Sequence, residues 1–187
     1  MEFIIDLWLP ILVAAAFVFI VSSLMHVVIP IHKNDHKGLP NEEAVLAAIR
    51  ENGVSPGSYM FPFPKSMKDC NSPEMLEKFN RGPVGFLNVW PNGPMAHGKP
   101  LVQWFIFSVI VGIATAYVAS FTLLPGADFS AVFRLTGTVA FLAYAFGVIP
   151  EAIWKGQAWS TTLKFFFDGF LYGLSTAAAF AWLWPGA

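Results

Sequence analysis

Charge is scarce in this chain: Asp, Glu, Lys and Arg make up only 12% of its 187 residues, about half the share of an average soluble domain. So little charge excludes a surface that faces water over most of its area. A basic excess is missing too, since the formal net charge is −1 and phosphate-backbone binding needs clustered Lys and Arg. No nucleic-acid partner is expected. The one cysteine, Cys70, rules out an intrachain disulfide and permits a reducing compartment. Signatures of catalysis are also absent: there is no Gly-x-Ser-x-Gly elbow, no phosphate-cradling glycine loop, no zincin motif and no Cys-x-x-Cys-His for covalent haem attachment. Finally, "MEFIIDLWLPILVAAAFVFIVSSLMHVV" has no basic leader, and its apolar run is too long for a signal-peptide core. It reads as a retained membrane helix.

What the chain has instead is apolar length. Hydrophobic residues make up 56% of it, and eight of the eleven Lys and Arg fall between Lys33 and Lys99, leaving apolar runs elsewhere. A bilayer core about 30 Å thick requires about 20 apolar residues in a helix. Residues 5–28, 101–124, 131–149 and 163–184 qualify. The expected fold class is an all-α membrane protein: a four-transmembrane-helix bundle with a small α/β cytoplasmic insert between the first and second helices. Its parts are the first helix (1–30), the insert (31–100) and a three-helix region completing the bundle (101–187).

Lys and Arg crowd the insert, Lys155 and Lys164 flank the third connection, and the ends and the short "LPGADFSA" turn have almost none. The positive-inside rule then puts the insert in the cytoplasm and both termini on the periplasmic side. Trp8, Trp182 and Trp184 would form one interfacial belt, and Trp104, Trp154 and Trp159 the other. Small residues at four-residue spacing, Gly112 with Ala116 and Ser120, Ala143 with Gly147, and Gly169 with Gly173 and Ala177, mark faces where helix backbones can approach closely.

Within the insert, "PNEEAVLAAIRENG" reads as a helix capped by Asn41, and "NSPEMLEKFNRGP" as one capped by Ser72 with Pro73 in its first turn. "GSYMFPF" and "VGFLNVW" have the aromatic and β-branched content of short strands.

The densest set of ligand-type side chains is "MHVVIPIHKNDH", which holds His26, His32 and His36. His32 and His36 are four apart and are weak metal candidates, because the Lys-Asn-Asp between them and the Gly-Leu-Pro after them disfavour a shared helix face. No metal, haem or other cofactor is expected. A second set is sharper: Asp168, Glu151 and His26 fall on the same side of the membrane and could bind a ligand or relay protons. The structural alternative pairs Glu151 with Lys155 and Asp168 with Lys164 at i,i+4 spacing. Arg134 is expected to pair with Asp128 or Asp6.

The C-terminal stretch "IWKGQAWSTTLKFFFDGFLYGLSTAAAFAWLWP", with its Ile-Trp turn and Asp-Gly helix, resembles the end of small uncharacterised bacterial inner-membrane proteins. The resemblance covers about a fifth of the chain. It implies a bacterial inner-membrane location and transfers no activity. The expected function is that of a non-catalytic accessory or scaffold subunit, embedded in the lipid bilayer and forming a homo-oligomer or part of a larger membrane complex. The alternative is a small proton- or cation-linked transporter using Asp168, Glu151 and His26.

Overall fold

The computed structural model describes residues 2–186. In chain order its elements are α1 (Glu2–Ser23), α2 (Glu42–Glu51), β1 (Gly57–Phe61), α3 (Pro73–Arg81), β2 (Gly85–Val89), α4 (Gly98–Thr122), α5 (Phe129–Ala145), α6 (Ile149–Lys155) and α7 (Trp159–Trp182). They fall into two compact units. One comprises the chain up to Asp35 together with everything from Ala96, and the other is His36–Met95. The second unit is thus shorter at both ends than the expected 31–100, and residues 31–35 go with the helices.

Three helical stretches, Glu2–Val28, Gly98–Thr122 and Phe129–Lys155, are long and apolar enough to cross a membrane. The chain is a membrane protein. The fourth long helix, α7, has 24 residues but carries Lys164 and Asp168 and is not among those three. In the helical unit α7 packs against α5 and α1, and α4 packs against α1 and α5. Its interior holds small and polar side chains, Ser108, Thr115, Thr136 and Thr176 among them, while Ile5, Trp8, Ile20, Ile106 and Phe121 point outward. That inversion of the soluble pattern suits lipid, which offers no hydrophobic drive between helices and leaves close packing and internal hydrogen bonds to hold them.

Close approach is clearest between α5 and α7. A Cβ added at Gly169 would stand 2.7 Å from the Ala145 Cα, one at Gly173 would stand 2.9 Å from the Phe141 Cβ, and Ala177 faces Gly137. On α4, Gly112 lies against Ile11 of α1, where a Cβ would meet Ile11 at 3.2 Å, and Ala116 is fully buried. These stripes are used within the chain, except that Ser120, the third member on α4, is exposed. The expected α5 stripe is a different one: Ala143 and Gly147 are exposed, and the face used is Gly137, Phe141 and Ala145.

Two further expectations fail for local reasons. Among the described residues Arg134 makes no ion pair; its Nε donates to the Ser130 carbonyl at 3.2 Å, because Asp128 instead caps α5 by accepting from Ser130 N–H at 3.1 Å. Trp104 is not a belt residue, since its indole N–H turns inward and donates to Ser22 Oγ at 2.9 Å.

In the His36–Met95 unit β1 and β2 pair antiparallel, with Gly57 opposite Val89 and Phe61 opposite Gly85. Ser72 caps α3 by accepting from Met75 N–H at 3.2 Å, with Pro73 in the first turn. Asn41 precedes α2 without a side-chain cap bond. The ordering bond lies at the other end of that helix, where Asn52 Nδ2 donates to the Ala48 carbonyl at 2.8 Å.

Candidate functional site

The first span does not end in a plain cap. α1 runs into a five-residue π-helical turn, Leu24–Val28, with Ile29 N–H donating to the Leu24 carbonyl at 2.8 Å. Ile29 is extended, with φ −91° and ψ 122°, the conformation favoured before a proline. Pro30 then opens a short 3₁₀ turn that ends at His32. π turns are rare and concentrate at functional sites. Here the widened turn and the reversal after it bring the rings of His26 and His32 to a centroid distance of 4.3 Å. Phe165 of α7 packs on both rings, at 5.8 and 4.9 Å.

One turn further along α7 lies Asp168, with a side chain only 1% exposed. His32 Nε2 is 2.8 Å and His26 Nε2 3.5 Å from Asp168 Oδ2. These are close approaches without aligned hydrogen bonds: both Asp168 oxygens and His32 Nε2 lack a hydrogen-bond partner despite being buried. The contrast with neighbouring hydroxyls is informative. Thr136 and Thr176 bond back to the carbonyls of Val132 and Tyr172 at 2.7 and 2.9 Å, so their burial costs little. A buried carboxylate oxygen with no donor, as at Asp168 Oδ1, is expensive by several kcal/mol as an order of magnitude.

The other side of His32 is firmly held. Its Nδ1 lies 2.6 Å from Asp35 Oδ2, and Asp35 Oδ1 accepts from Lys164 Nζ at 2.5 Å. Burial opposes the Asp35 charge, but the hydrogen bonds from Lys164 and His32 outweigh it and hold its carboxyl below the ordinary carboxylate range. Lys164, Asp35, His32, Asp168 and His26 therefore form one chain of contacts. Its deep end is Asp168.

Asp168 and His26 also line a cavity of about 620 Å³. Its walls come from α1 and its π turn, α4, α5 and α7, and are mainly apolar and aromatic, with Trp104, Tyr144, Tyr172 and Phe165 prominent. The rings of Trp104, Tyr144 and Tyr172 stand 5.5 to 6.0 Å apart in pairs, and the Tyr172 hydroxyl is 3.4 Å from His26 Nε2. Away from this cavity the unit is filled by Leu7, Ile11, Ala14, Val132 and Phe180. The cavity occupies one end.

Of the residues singled out in the sequence, His26 and Asp168 come together and Glu151 does not join them. Its side chain is 42% exposed and takes an ion pair from Lys155 at 2.7 Å. His32 is part of the cluster, whereas His36 is exposed and belongs to the other unit. Lys164 bonds Asp35 and not Asp168, its partner in the structural alternative. Asp35 is one of the ligand-type side chains of the histidine run, but its pairing with His32 and Lys164 is not among the sequence expectations, and neither is Tyr172. The spacing His32-x-x-Asp35 was a usable signal, since residues three apart across a tight turn can meet; Tyr172, one turn beyond Asp168 on α7, was a second. Comparison with protein-family models, curated proteins and solved structures returned no match.

Proposed function

We propose that this chain is a four-span membrane protein that binds a cation at His26, His32 and Asp168 and presents it to the adjoining cavity. In this reading α7 is the fourth span, packed on α1 and α5 with its polar residues at the site, and the His36–Met95 unit and the site face the cytoplasm of a bacterial cell. The observation that carries the proposal is Asp168: a carboxylate 1% exposed, with both oxygens lacking an aligned donor and two imidazole nitrogens within 3.5 Å. An ionisable side chain inside a membrane bundle is costly, and function is its usual reason.

Support for a scaffold role is weaker than the sequence suggested. Gly112, Gly169, Gly173 and Ala177 pack against helices of the same chain and are not left free to join copies. The packed layer of Leu7, Ile11, Val132 and Phe180 favours binding from one side over a path through the bundle.

The test is thermal unfolding of purified protein in mild detergent, with sodium, potassium, magnesium, calcium, manganese and zinc chlorides added separately. A ligand at about a hundred times its Kd stabilises by about 2.7 kcal/mol. At least one cation should raise the wild-type midpoint and leave Asp168→Asn unmoved. If none raises it, the proposal fails.

A further inference from the structure

We infer that the cation is a divalent first-row transition metal ion, held by His26 Nε2, His32 Nε2 and an Asp168 oxygen, with a fourth position directed at the aromatic cavity. This rests on the cation-binding reading above and names its ligand. The three ligand atoms lie within 4.8 Å of one another. Around a tetrahedral ion with bonds of about 2.0–2.1 Å, ligand atoms stand about 3.3 Å apart, and the 2.8 and 3.5 Å separations at Asp168 bracket that value. Two imidazoles and one carboxylate are a donor set for zinc or ferrous iron more than for magnesium or calcium, which prefer all-oxygen surroundings.

Two independent features favour a metal over a simple ion-pair chain. The first is Asp168 Oδ1, buried with no hydrogen-bond partner: the contacts from His26 and His32 reach only Oδ2, so an imidazole–carboxylate pairing alone leaves one oxygen unsatisfied. The second is the Asp35 carboxylate at 2.6 Å from His32 Nδ1. A metal-bound histidine commonly gives its other ring N–H to a carboxylate, which fixes the tautomer and leaves Nε2 free to ligate. Lys164 in turn holds Asp35.

The cavity then decides the kind of site. Three protein ligands leave a position for an exogenous group, and His26 and Asp168, which line the cavity, are two of the three. Its size and its Trp104, Tyr144 and Tyr172 walls suit a small molecule with an apolar or aromatic body and an oxygen or nitrogen donor at one end. The structure thus assigns an open metal centre that receives an amphipathic ligand.

The experiment is titration of the full-length protein in detergent with Co²⁺, read by visible ligand-field absorption, followed by benzohydroxamate. One equivalent should produce intense bands of low-coordinate cobalt, and benzohydroxamate should shift them. His32→Ala and Asp168→Asn should abolish the bands, Asp35→Asn should weaken Co²⁺ binding ten- to a hundredfold, and His36→Ala should change nothing. Because Asp168→Asn could perturb folding, each variant is first required to elute and melt as a folded protein; Asp35→Asn, outside the ligand set, supplies an independent readout. Bands that ignore benzohydroxamate overturn the open position. If no cobalt bands form while sodium, magnesium or another cation still stabilises through Asp168, the metal assignment falls and the cation-binding proposal stands. If no cation acts at all, both fall.

Discussion

The two units of this chain handle polarity in opposite ways. The helical unit buries Asp168, Ser108 and several threonines and turns its large apolar side chains outward, while the His36–Met95 unit carries most of the charge and has no fully buried residue. The first depends on backbones brought into contact at Gly112, Gly169 and Gly173, the second on local devices: a Ser72 cap, one antiparallel strand pair, and the Ser58–Asn88 hydrogen bond at 2.7 Å across it. Specificity in lipid comes from interlocking shapes between distant residues. In the other unit it comes from caps and from hydrogen bonds across one strand pair, and fewer than about 70 residues without a core leave little margin.

The largest effect should come from breaking the interlock. At Gly169 the nearest atoms to an added Cβ are the Cα and Cβ of Ala145 at 2.7 Å and its backbone N at 2.8 Å, none of which can rotate away. Gly169→Ala should cost about 1–3 kcal/mol, and Gly169→Leu should prevent isolation of a monodisperse protein in mild detergent. Gly147, with nothing within 4 Å, is the control. Gly147, in the 3₁₀ turn Phe146–Val148 after α5, has no positive φ, so Gly147→Ala should be neutral or stabilise by up to about 1 kcal/mol by restricting the unfolded chain. Equal losses at the two glycines, measured by unfolding midpoint, would refute the packing argument.

Next in size is the bond between Lys164 and Asp35, which ties α7 to the turn after α1. The Asp35 side chain is 3% exposed and that of Lys164 30%, so the pair is only partly screened. Removing the cation strands a nearly buried carboxylate; Lys164→Met should cost about 1–3 kcal/mol. Much of that should return in the double variant Asp35→Asn/Lys164→Met, where neither charge remains. A double-mutant cycle in detergent reads the coupling directly. Strict additivity would mean that the two groups do not interact.

Legibility of this chain in its sequence follows the range of the interactions involved. Features set by neighbours were readable: the Ser72 cap, Pro73 at the start of α3, the apolar runs of α1, α4 and α5. Asp168 was conspicuous as an acid in an apolar run. What pairs with it was not, because the partner set depends on a π turn that no residue type specifies and that rotates His26 and repositions His32 together. Small residues at four-residue spacing pointed to Ala143 and Gly147, whereas the packing of α7 uses the face of Gly137, Phe141 and Ala145, which has a large side chain in its middle and so no such signature. The inward turn of Trp104 likewise needs Ser22, 82 residues away in the sequence. Glu151 and Lys155, one helical turn apart, behaved as that spacing suggests.

Effects in the His36–Met95 unit should be smaller and should stay local. Ser72→Ala removes the side-chain acceptor for Met75 N–H and should destabilise α3 by about 1 kcal/mol. Amide hydrogen exchange is the fitting measurement. Exchange in α3 should accelerate about fivefold, the equivalent of that energy, with α5 and α7 unchanged, since local opening need not involve the rest of the fold. Slowed or unchanged exchange in α3 would remove the cap from the account.

The smallest effect should be at Glu74, whose carboxylate meets Lys78 Nζ at 2.6 Å with side chains 80% and 47% exposed. The hydrogen bond and charge of Lys78 hold the Glu74 carboxyl below its ordinary range. A carboxyl depressed in the folded state adds stability that is present above the unfolded pKa and is lost as pH falls through the folded one. The sign therefore favours the fold at neutral pH, but water and salt screen so exposed a pair. Glu74→Gln should leave the exchange rates of α3 unchanged at pH 7 in about 0.15 M salt, and the depressed titration of Glu74, followed by carbon NMR of its carboxyl, should relax toward the ordinary value in about 1 M salt. An acceleration of α3 exchange as large as that from Ser72→Ala would mean that ion pairs rather than caps hold this unit, and would overturn the contrast between a region built on packing and one built on local backbone hydrogen bonds.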